Sequence, residues 1–250
     1  MIQSKLLKNY KKISHGFFNS EGGYSKNIYK SLNCGFGSKD NKRNIIKNLK
    51  KVCDKIGCNY KDLVTLNQIH SSKVIFINKI SKKKIIGDAV FTAKRKMAIG
   101  VLTADCAPIF LFDPEKKLIA AIHAGWRGAF KKIIQKTVNA FVKKGSREKN
   151  IISIIGPCIS QKSYEVKNDF LKKFLKQDSR NITFFKFYKK KILFDLNKYI
   201  KNQLIKTGIK KIDLIKKDTY LKKNNYFSSR RSKKEGNDDY GRNISLIMIK

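Results

Sequence analysis

A succession of six short apolar segments in the middle of the chain constrains its fold more than any other feature. The segments, between residues 64 and 124, are VTLNQI, KVIFI, DAVFT, AIGVLTAD, PIFLFD and LIAAIHA. Each has five to eight residues and most are rich in β-branched or aromatic side chains, which is typical of strands. Gly87-Asp88 and Asp113-Pro114 are typical turn sequences between such strands. The middle of the chain is therefore predicted to form a sheet.

Helical periodicity is found on both sides of this region. Ile45, Leu49 and Val52 recur at helical spacing with lysines between them, which predicts a helix over 41–57. Further helices are predicted over 128–143, 167–177 and 196–207, and further strands over 12–18, 150–155, 191–195, 211–216 and 244–250. Because strands and helices do not alternate regularly, we expect an α+β fold: a single layered catalytic domain over 1–250, with mixed β-sheets flanked by helices. The lysine- and glycine-bearing segment 231–240 is predicted to be a flexible loop.

Composition excludes several classes of protein. The 41% of hydrophobic residues is enough for a core, and no apolar stretch approaches the roughly 20 residues that span a bilayer. The first residues, MIQSKLLKNYKK, lack the apolar segment of a signal peptide, so we expect a cytoplasmic protein with no membrane partner. The five cysteines are irregularly spaced and form neither a disulfide framework nor a CxxC pair.

The formal net charge of +39 raises the question of a nucleic-acid partner. The lysines are spread along nearly the whole chain, and no helix-turn-helix, RRM or zinc-finger signature accompanies them. This distribution favours a solvated lysine surface. We expect no specific nucleic-acid partner, only weak, salt-sensitive adhesion to polyanions.

Three metal-binding side chains stand in or next to the apolar segments: His70 in NQIH, Cys106 in TADCAP and His123 in HAGWRG. Their long spacings exclude a local zinc knuckle, but neighbouring strands can bring the three together. Two imidazoles and one thiolate suit zinc or copper and leave a fourth position open for water, as in catalytic sites. Two alternatives stay open: a Cys–His nucleophile pair, and a buried cysteine with hydrogen-bonded core histidines.

Other polar residues stand out at predicted turns. Asp88 follows Gly87 directly before a strand, and Arg127 lies at a strand-to-helix turn, near amides that can hold an anion. Arg230 and Arg242 are notable in a chain that overwhelmingly uses lysine, because arginine binds phosphate or carboxylate in a bidentate manner. Asn33, in a glycine-rich loop, is a weaker candidate for a pocket wall. Arg231 is interpreted as an ordinary surface arginine.

The chain resembles the family variously called multicopper polyphenol oxidases (laccases), purine nucleoside phosphorylases or peptidoglycan editing factors. The resemblance extends over nearly the whole length, through HGFF, GGYS, SLNCG, NQIH, GDAVFT, LTADCAPIFLFD, IAAIHAGWRG, IGPCISQKSYEV and a terminal FSSRR…GR. The spacing of ADCAP and HAGWRG is its most specific element. The chain departs from the family pattern at Ser20-Glu21, where an arginine usually precedes the first GG, and at Arg231-Ser232, where an insertion follows.

The resemblance implies a zinc site in a surface pocket, held by His70, Cys106 and His123. It implies phosphorolysis of adenosine, inosine, guanosine and methylthioadenosine, together with adenosine deamination, so the small-molecule partners would be a nucleoside and phosphate. Editing of peptidoglycan precursors and copper-dependent phenol oxidation are the alternatives that the family offers. With three histidines, the chain has too few for a multicopper site of the ordinary type.

Roles for the remaining residues follow as expectations. The metal ligands and Asp88 are the expected catalytic residues, Asp88 acting as acid and base. Arg242 or Arg230 is expected to hold phosphate, and Arg127 and Asn33 complete the expected substrate-binding set. A single metal ion per chain is consistent with a monomer or a weak dimer.

Overall fold

A computed structural model describes residues 1–80 and 84–250. Helices are α1 Lys5–Lys8, α2 Lys42–Ile56, α3 Trp126–Phe130, α4 Ile133–Val142, α5 Asn168–Gln177, α6 Leu196–Lys206 and α7 Ser229–Lys234. Strands are β1 Ile13–Phe17, β2 Leu63–Thr65, β3 Val74–Phe76, β4 Ala89–Thr92, β5 Ala98–Thr103, β6 Ala107–Asp113, β7 Leu118–Ala124, β8 Ile152–Ile155, β9 Glu165–Val166, β10 Phe185–Tyr188, β11 Lys191–Phe194, β12 Lys211–Leu214 and β13 Asn243–Ile249. The six apolar segments of the middle region all contribute strands, as predicted.

The strands form three sheets, two of them mixed. A six-stranded sheet has the order β12-β8-β6-β7-β4-β3, with parallel pairs at both edges and antiparallel pairs between them. A four-stranded sheet has the order β1-β13-β5-β2, and a small antiparallel sheet has the order β10-β11-β9. Mixed sheets with helices against them confirm the predicted α+β class.

The two larger sheets pack face to face between helices. Alternating residues of β6 point to opposite sides: Ile109 and Leu111 lie in the core beneath α4 and α6, whereas Phe110 and Phe112 lie between the sheets. The outer face of the four-stranded sheet packs against α2 through Ile45 and its neighbours. The strands β6 and β7 are buried along their whole length, so the loops at their ends are held on a rigid scaffold.

Two sequence predictions differ from the structure. The predicted helix over 128–143 is two helices, α3 and α4, separated at Lys132, which adopts a left-handed φ of 63°. Side-chain amides of Gln177 and Gln203 bind the carbonyls of Phe130 and Ala129 near this break. The loop prediction for 231–240 is wrong for its first residues, which belong to α7.

The contacts at the N-terminus of α7 explain why this helix forms. The Ser228 hydroxyl accepts a hydrogen bond from the Arg231 amide, which caps the first turn. Further along the segment, Asp239 is buried and accepts hydrogen bonds from Tyr29 and from the Lys39 amide. In the part of the chain that the structure describes, no helix is long and apolar enough to cross a membrane.

Candidate metal centre and adjoining cavity

The three predicted metal ligands come together at one end of the sheets. Cys106 directly precedes β6, His123 lies in β7 opposite Pro108, and His70 lies in the loop before β3. One donor atom from each residue lies within 4.8 Å of the other two, and Cys106 Sγ is 3.9 Å from His70 Nε2. The prediction that neighbouring strands bring these three side chains together is confirmed.

Asp88 lies behind the cluster and fixes two of its members. Its carboxylate is 2.9 Å from Nδ1 of His123 and also accepts hydrogen bonds from the His70 amide and from the amide and hydroxyl of Ser71. Because Nδ1 of His123 is occupied, Nε2 is left for a metal ion. A carboxylate behind a ligating histidine in this way sets the tautomer and the orientation of the ring.

This arrangement corrects the expected role of Asp88 as a catalytic acid and base. The residue is fully buried and does not line the cavity described below. Burial opposes its ionisation, but the hydrogen bonds from His123 and Ser71 outweigh that effect and lower the pKa of Asp88 to about 2. Asp88 is therefore held as a carboxylate behind the candidate ligands, where it positions His70 and His123 and does not line the cavity.

Charge interactions favour the metal-binding form of Cys106. Burial opposes ionisation, but His123 and His70 outweigh it and lower the pKa of the Cys106 thiol to about 7. For His123, burial opposes the positive charge, whereas the Cys106 thiolate and Asp88 raise the pKa of the imidazole to about 9. The thiolate is the form of cysteine that binds metals, so the surroundings of Cys106 prepare it as a ligand.

A second buried carboxylate, Asp105, holds the loop that carries Cys106. It adopts a left-handed φ of 85° and accepts hydrogen bonds from the Thr219 hydroxyl, the Ser228 hydroxyl and the Arg230 amide. Burial raises the pKa of Asp105 despite these donors. Contacts from distant segments thus stabilise an uncommon backbone conformation next to a candidate ligand.

Gly125 leaves room for the ligand cluster. A Cβ at this position would lie 2.7 Å from Cys106 Sγ and 3.3 Å from Cδ2 of His70. The backbone of Gly125, with φ −73° and ψ 169°, is one that any residue adopts, so the need for glycine is steric. This explains the glycine in HAGWRG at the turn from β7 to α3.

The donor set fits a single borderline metal ion. Two imidazole nitrogens and one thiolate sulfur are the ligands of catalytic zinc sites that keep an open fourth position, and copper accepts the same donors. His70 is exposed, Cys106 is half-buried and His123 is buried, so the cluster is accessible from one side. All three ligands line a cavity on that side.

The cavity has a volume of about 600 Å³ and is lined by strands β2 and β5 and by neighbouring loops. This volume is in the range of small-molecule sites. The metal ligands form one part of its wall, and Phe36, Lys84, Tyr240 and Arg242 are among the other lining residues. Among the described residues that line the cavity, none is an aspartate or glutamate.

Arg242 is the one predicted substrate-binding residue that lines this cavity. Its Nη1 donates hydrogen bonds to the Tyr240 carbonyl and to Asp239, and its guanidinium carbon lies 4.5 Å from the centre of the Tyr240 ring. A Cβ on Gly35 would lie 2.2 Å from Cδ of Arg242, so that glycine makes room for the arginine stem. Arg242 is held in place with other guanidinium nitrogens left for a ligand.

The other three residues predicted to bind substrate, Asn33, Arg127 and Arg230, are not among the described residues that line this cavity. The amide of Asn33 is fully buried and bound to Ser38, Asp40 and the amides of Gly35 and Arg242. Arg127 is exposed, with its guanidinium over the Trp126 ring. Arg230 donates to the Glu165 carbonyl. The interpretation of Arg231 as a plain surface arginine is also incomplete, because its guanidinium binds three backbone carbonyls.

Sequence reasoning missed several lining residues. Phe36 and Tyr240 present aromatic rings, Lys84 adds a second cation, and Asn67 brings a polar side chain. Asn67 stands in the motif NQIH, three residues before the candidate ligand His70, so its position in the sequence could have identified it as a cavity residue. Phe36 and Tyr240 lie far from the ligands in sequence and have no local pattern that marks them.

Comparison with known proteins places this geometry in a family. A family model described as multi-copper polyphenol oxidoreductase laccase matches residues 14–250. A purine nucleoside phosphorylase of Rickettsia conorii is 34% identical over 213 residues, covering 84% of this chain and 87% of the relative. One of Bacteroides thetaiotaomicron is 29% identical over 263 aligned positions, covering 100% and 96%.

A solved structure agrees with these sequence matches. The crystal structure of a Neisseria meningitidis protein has a TM-score of 0.85 and 29% identity, covering 96% of this chain and 95% of its own. The match to the family model extends over nearly the whole chain and includes all three candidate ligands. The chain therefore belongs to the family described as multi-copper polyphenol oxidoreductase laccases, several relatives of which are named purine nucleoside phosphorylases.

Proposed function

We propose that this chain is a metal-dependent purine nucleoside phosphorylase and that its 250 residues act as one catalytic domain. The observation that carries the proposal is a single cavity joining a His-Cys-His metal cluster to an arginine held against a tyrosine ring. The names of the relatives support the same activity. The substrates are a purine nucleoside and inorganic phosphate.

In phosphorolysis, a phosphate oxygen forms a bond to C1′ of the ribose while the bond from C1′ to the purine nitrogen breaks. The electron pair of that bond leaves with the purine, which takes up the proton that phosphate gives up. The products are ribose 1-phosphate and the free base. Negative charge develops on the purine and is already present on phosphate, so positive groups aimed at both stabilise the transition state.

Arg242 is the residue best suited to bind phosphate. Its guanidinium is planar, fixed by Tyr240 and Asp239, and able to bind an oxyanion through two parallel hydrogen bonds. Lys84 lines the same cavity as a second cation. The rings of Phe36 and Tyr240 are apolar surfaces of the kind against which a purine packs. A zinc ion held by His70, Cys106 and His123 would supply Lewis-acid stabilisation of developing negative charge.

The finer predictions follow from this proposal. Adenosine, inosine, guanosine and methylthioadenosine are the expected nucleosides, zinc is the expected metal, and the protein is expected in the cytoplasm as a monomer or weak dimer. Adenosine deamination stays a prediction, although it needs a carboxylate that transfers protons. Asp88 does not fill that role, because its oxygens are already bound to Ser71 and His123.

Chemistry with several copper ions fits these residues less well. Such a site needs many imidazole ligands, and the chain has three histidines. The third, His15, is buried in β1, where its Nε2 accepts a hydrogen bond from the Ser4 amide. Only one ion can be held by the described cluster of His70, Cys106 and His123.

The test is an assay of metal-quantified protein with adenosine and inosine, with and without phosphate, followed by chromatography of the products. Free adenine or hypoxanthine formed only with phosphate, at about one zinc per chain, is the expected result. Cys106→Ala should lose both the metal and the activity. Arg242→Ala should keep the metal and raise the KM for phosphate more than that for the nucleoside.

Full zinc content and full activity in Cys106→Ala would exclude the proposed site. An unchanged phosphate KM in Arg242→Ala would remove the assigned role of the arginine. If no nucleoside is converted under any of these conditions, the proposal is wrong, and amide cleavage of peptidoglycan precursors becomes the next assay.

A further inference from the structure

A second cavity, of about 400 Å³, lies at the opposite end of the sheets from the metal ligands. Cys106 directly precedes β6, whereas Phe112 near the other end of the same strand lines the second cavity. Six residues of extended chain separate the two regions by about 20 Å. The second cavity is therefore distinct from the site proposed for nucleosides.

The floor of this cavity is apolar and part of the core. Ile13, Phe112 and Ile249 line it and are almost fully buried in the cluster between the two large sheets. The ring of Tyr10 packs edge-on against Phe112, with 5.1 Å between the ring centres. Only a few per cent of Ile13, Phe112 and Ile249 is exposed, so much of the apolar surface offered to a ligand comes from the half-buried Tyr10 and Pro114. Covering this surface with an apolar group lowers the free energy.

The backbone around the cavity is fixed by one local turn and by hydrogen bonds between distant segments. The Ile13 amide donates to the Tyr10 carbonyl, and the Lys250 amide donates to the Lys12 carbonyl. Arg95 pairs with Ile249 in a β-bridge, and its Nε donates to the Lys250 carbonyl. A ligand would thus meet a largely preformed site, which reduces the entropy lost on binding.

The rim of the cavity is positively charged. Lys11, Lys12, Arg95 and Lys117 line it and are exposed, and no acidic residue is among the described residues of its lining. The neighbouring Asp113 is buried, and its Oδ1 accepts hydrogen bonds from the amides of Glu115 and Lys116. Glu115 itself pairs with Arg147. Oδ2 of Asp113 has no hydrogen-bond partner among the described residues. Arg95 already donates through Nε to Lys250, and the three rim lysines form no salt bridge among the described residues, so their charge is left for a ligand.

We propose that this cavity binds a small organic anion. The apolar body of the ligand would lie on the floor formed by Tyr10, Ile13, Phe112 and Ile249. Its carboxylate, sulfonate or phosphate group would lie among the rim lysines and Arg95. The proposal is independent of the function proposed for the metal-lined cavity.

The test uses 8-anilinonaphthalene-1-sulfonate, an aromatic sulfonate that fluoresces when its surroundings are apolar, titrated against the folded, zinc-loaded protein. The variant Lys11→Gln/Lys12→Gln/Lys117→Gln removes three rim charges and should weaken binding about tenfold, as loss of one charge-assisted hydrogen bond would. A matched control, Lys42→Gln/Lys50→Gln/Lys223→Gln, removes the same charge from exposed positions elsewhere and should bind like the unmodified protein.

A second variant tests the cavity without changing charge. Asn9 is exposed at the cavity wall, so Asn9→Trp should fill the space and weaken dye binding about tenfold while leaving the thermal midpoint unchanged. Octanoate should displace the dye. Neither n-octanol nor sulfate should do so, because octanol lacks the anionic group and sulfate lacks the apolar body.

Dye binding that survives both Asn9→Trp and the rim variant would overturn the proposal, because the dye would then lie elsewhere. Equal losses in the rim variant and in the matched control would also overturn it, since only net charge would matter. Displacement by octanol as effective as that by octanoate would show that the rim cations do not select an anion.

Discussion

Asp88 contacts two candidate ligands, one through that ligand's side chain and the other through its backbone. It binds the ring of His123, and it accepts the backbone amide of His70, a residue with a left-handed φ of 57°. One buried carboxylate therefore fixes both the tautomer of one ligand and the loop conformation of another. The two effects should be lost together when its charge is removed.

We predict that Asp88→Asn lowers the affinity for zinc about 10- to 100-fold, the usual cost of altering a carboxylate behind a ligating histidine. An asparagine amide keeps the size but cannot accept all the hydrogen bonds that converge on this side chain. The measurement is competition for zinc with a chromogenic chelator. Asp54→Asn, on the exposed side of α2, is the matched control and should bind zinc normally. Equal affinity in both variants would contradict the assigned role.

His15 gives the fold a sensitivity to acid that does not involve the metal cluster. It is 1% exposed, and its Nε2 accepts the Ser4 amide. Burial, followed by the charge of Lys8, lowers the pKa of His15 to about 4, against an opposing effect of Asp213. As the pH falls, His15 binds a proton at a higher pH in the unfolded chain than in the folded protein. The stabilisation is therefore complete above about pH 6.5 and is lost as the pH falls towards 4.

The expected loss from His15 is about 3 kcal/mol in the free energy of unfolding between those limits. Urea denaturation at constant ionic strength, measured from pH 7 to pH 4.5, gives this dependence. His15→Gln keeps a hydrogen-bond acceptor but cannot titrate, so its dependence over the same interval should be shallower. Parallel curves for the two proteins would show that other groups cause the acid sensitivity.

At the scale of elements, the turn from β7 to α3 determines how close the ligands approach one another. Gly125 stands at the beginning of α3, and the space above it is occupied by Cys106 and His70. A methyl group added at position 125 is expected to disrupt the metal site without altering α3 itself.

Gly125→Ala should therefore reduce zinc binding strongly while changing the free energy of unfolding little, since alanine tolerates this backbone. The control is Gly37→Ala, which lines the same cavity but whose added Cβ would meet no atom within 4 Å. Zinc titration and urea denaturation of both variants separate metal binding from folding. Normal zinc affinity in Gly125→Ala would show that the ligands have room to move.

Elements with a regular pattern could be predicted from the sequence, and those fixed by distant partners could not. Helix α2 shows its apolar residues at helical spacing, which predicts the helix to within about one residue at each end. In contrast, α7 has no apolar stripe. It begins where Asp105, more than a hundred residues earlier, accepts the Ser228 hydroxyl and the Arg230 amide.

The same distinction applies to the site. His70, Cys106 and His123 can be identified because each stands in a motif, NQIH, TADCAP or HAGWRG, next to a predicted strand and within the family resemblance. The sequence predicts Asp88 as a catalytic acid and base and Asn33 as a substrate contact, because a carboxylate or amide near a turn suits several roles. Only the described contacts show that both are used internally.

At the scale of the whole molecule, the excess of positive charge has the largest expected effect on stability. The 57 basic residues face 18 acidic ones, and the salt bridges among the described residues are mostly exposed. Exposed ion pairs stabilise a protein by less than about 1 kcal/mol each, so their screening costs little. Repulsion among many lysines in a compact state is the larger effect.

Added salt should consequently stabilise this protein. We expect the free energy of unfolding at pH 7 to rise as NaCl increases from about 0.05 to 0.5 M, because the distance over which charges interact shortens from more than 10 Å to a few ångströms. Urea denaturation at several NaCl concentrations measures this dependence. A free energy that falls with salt would mean that attractive pairs outweigh the repulsion.

The position of β13 has a consequence for synthesis on the ribosome. This strand lies between β1 and β5, with Ile13 paired to Ile249, and it is preceded by Arg242. At roughly 5 to 20 residues per second, β1 waits on the order of ten seconds or more for its partner to be made. Throughout that interval, β1 and one edge of β5 are open to wrong partners, and the cavity wall that contains Arg242 does not exist. A nascent chain stalled before residue 242 should therefore depend on chaperones.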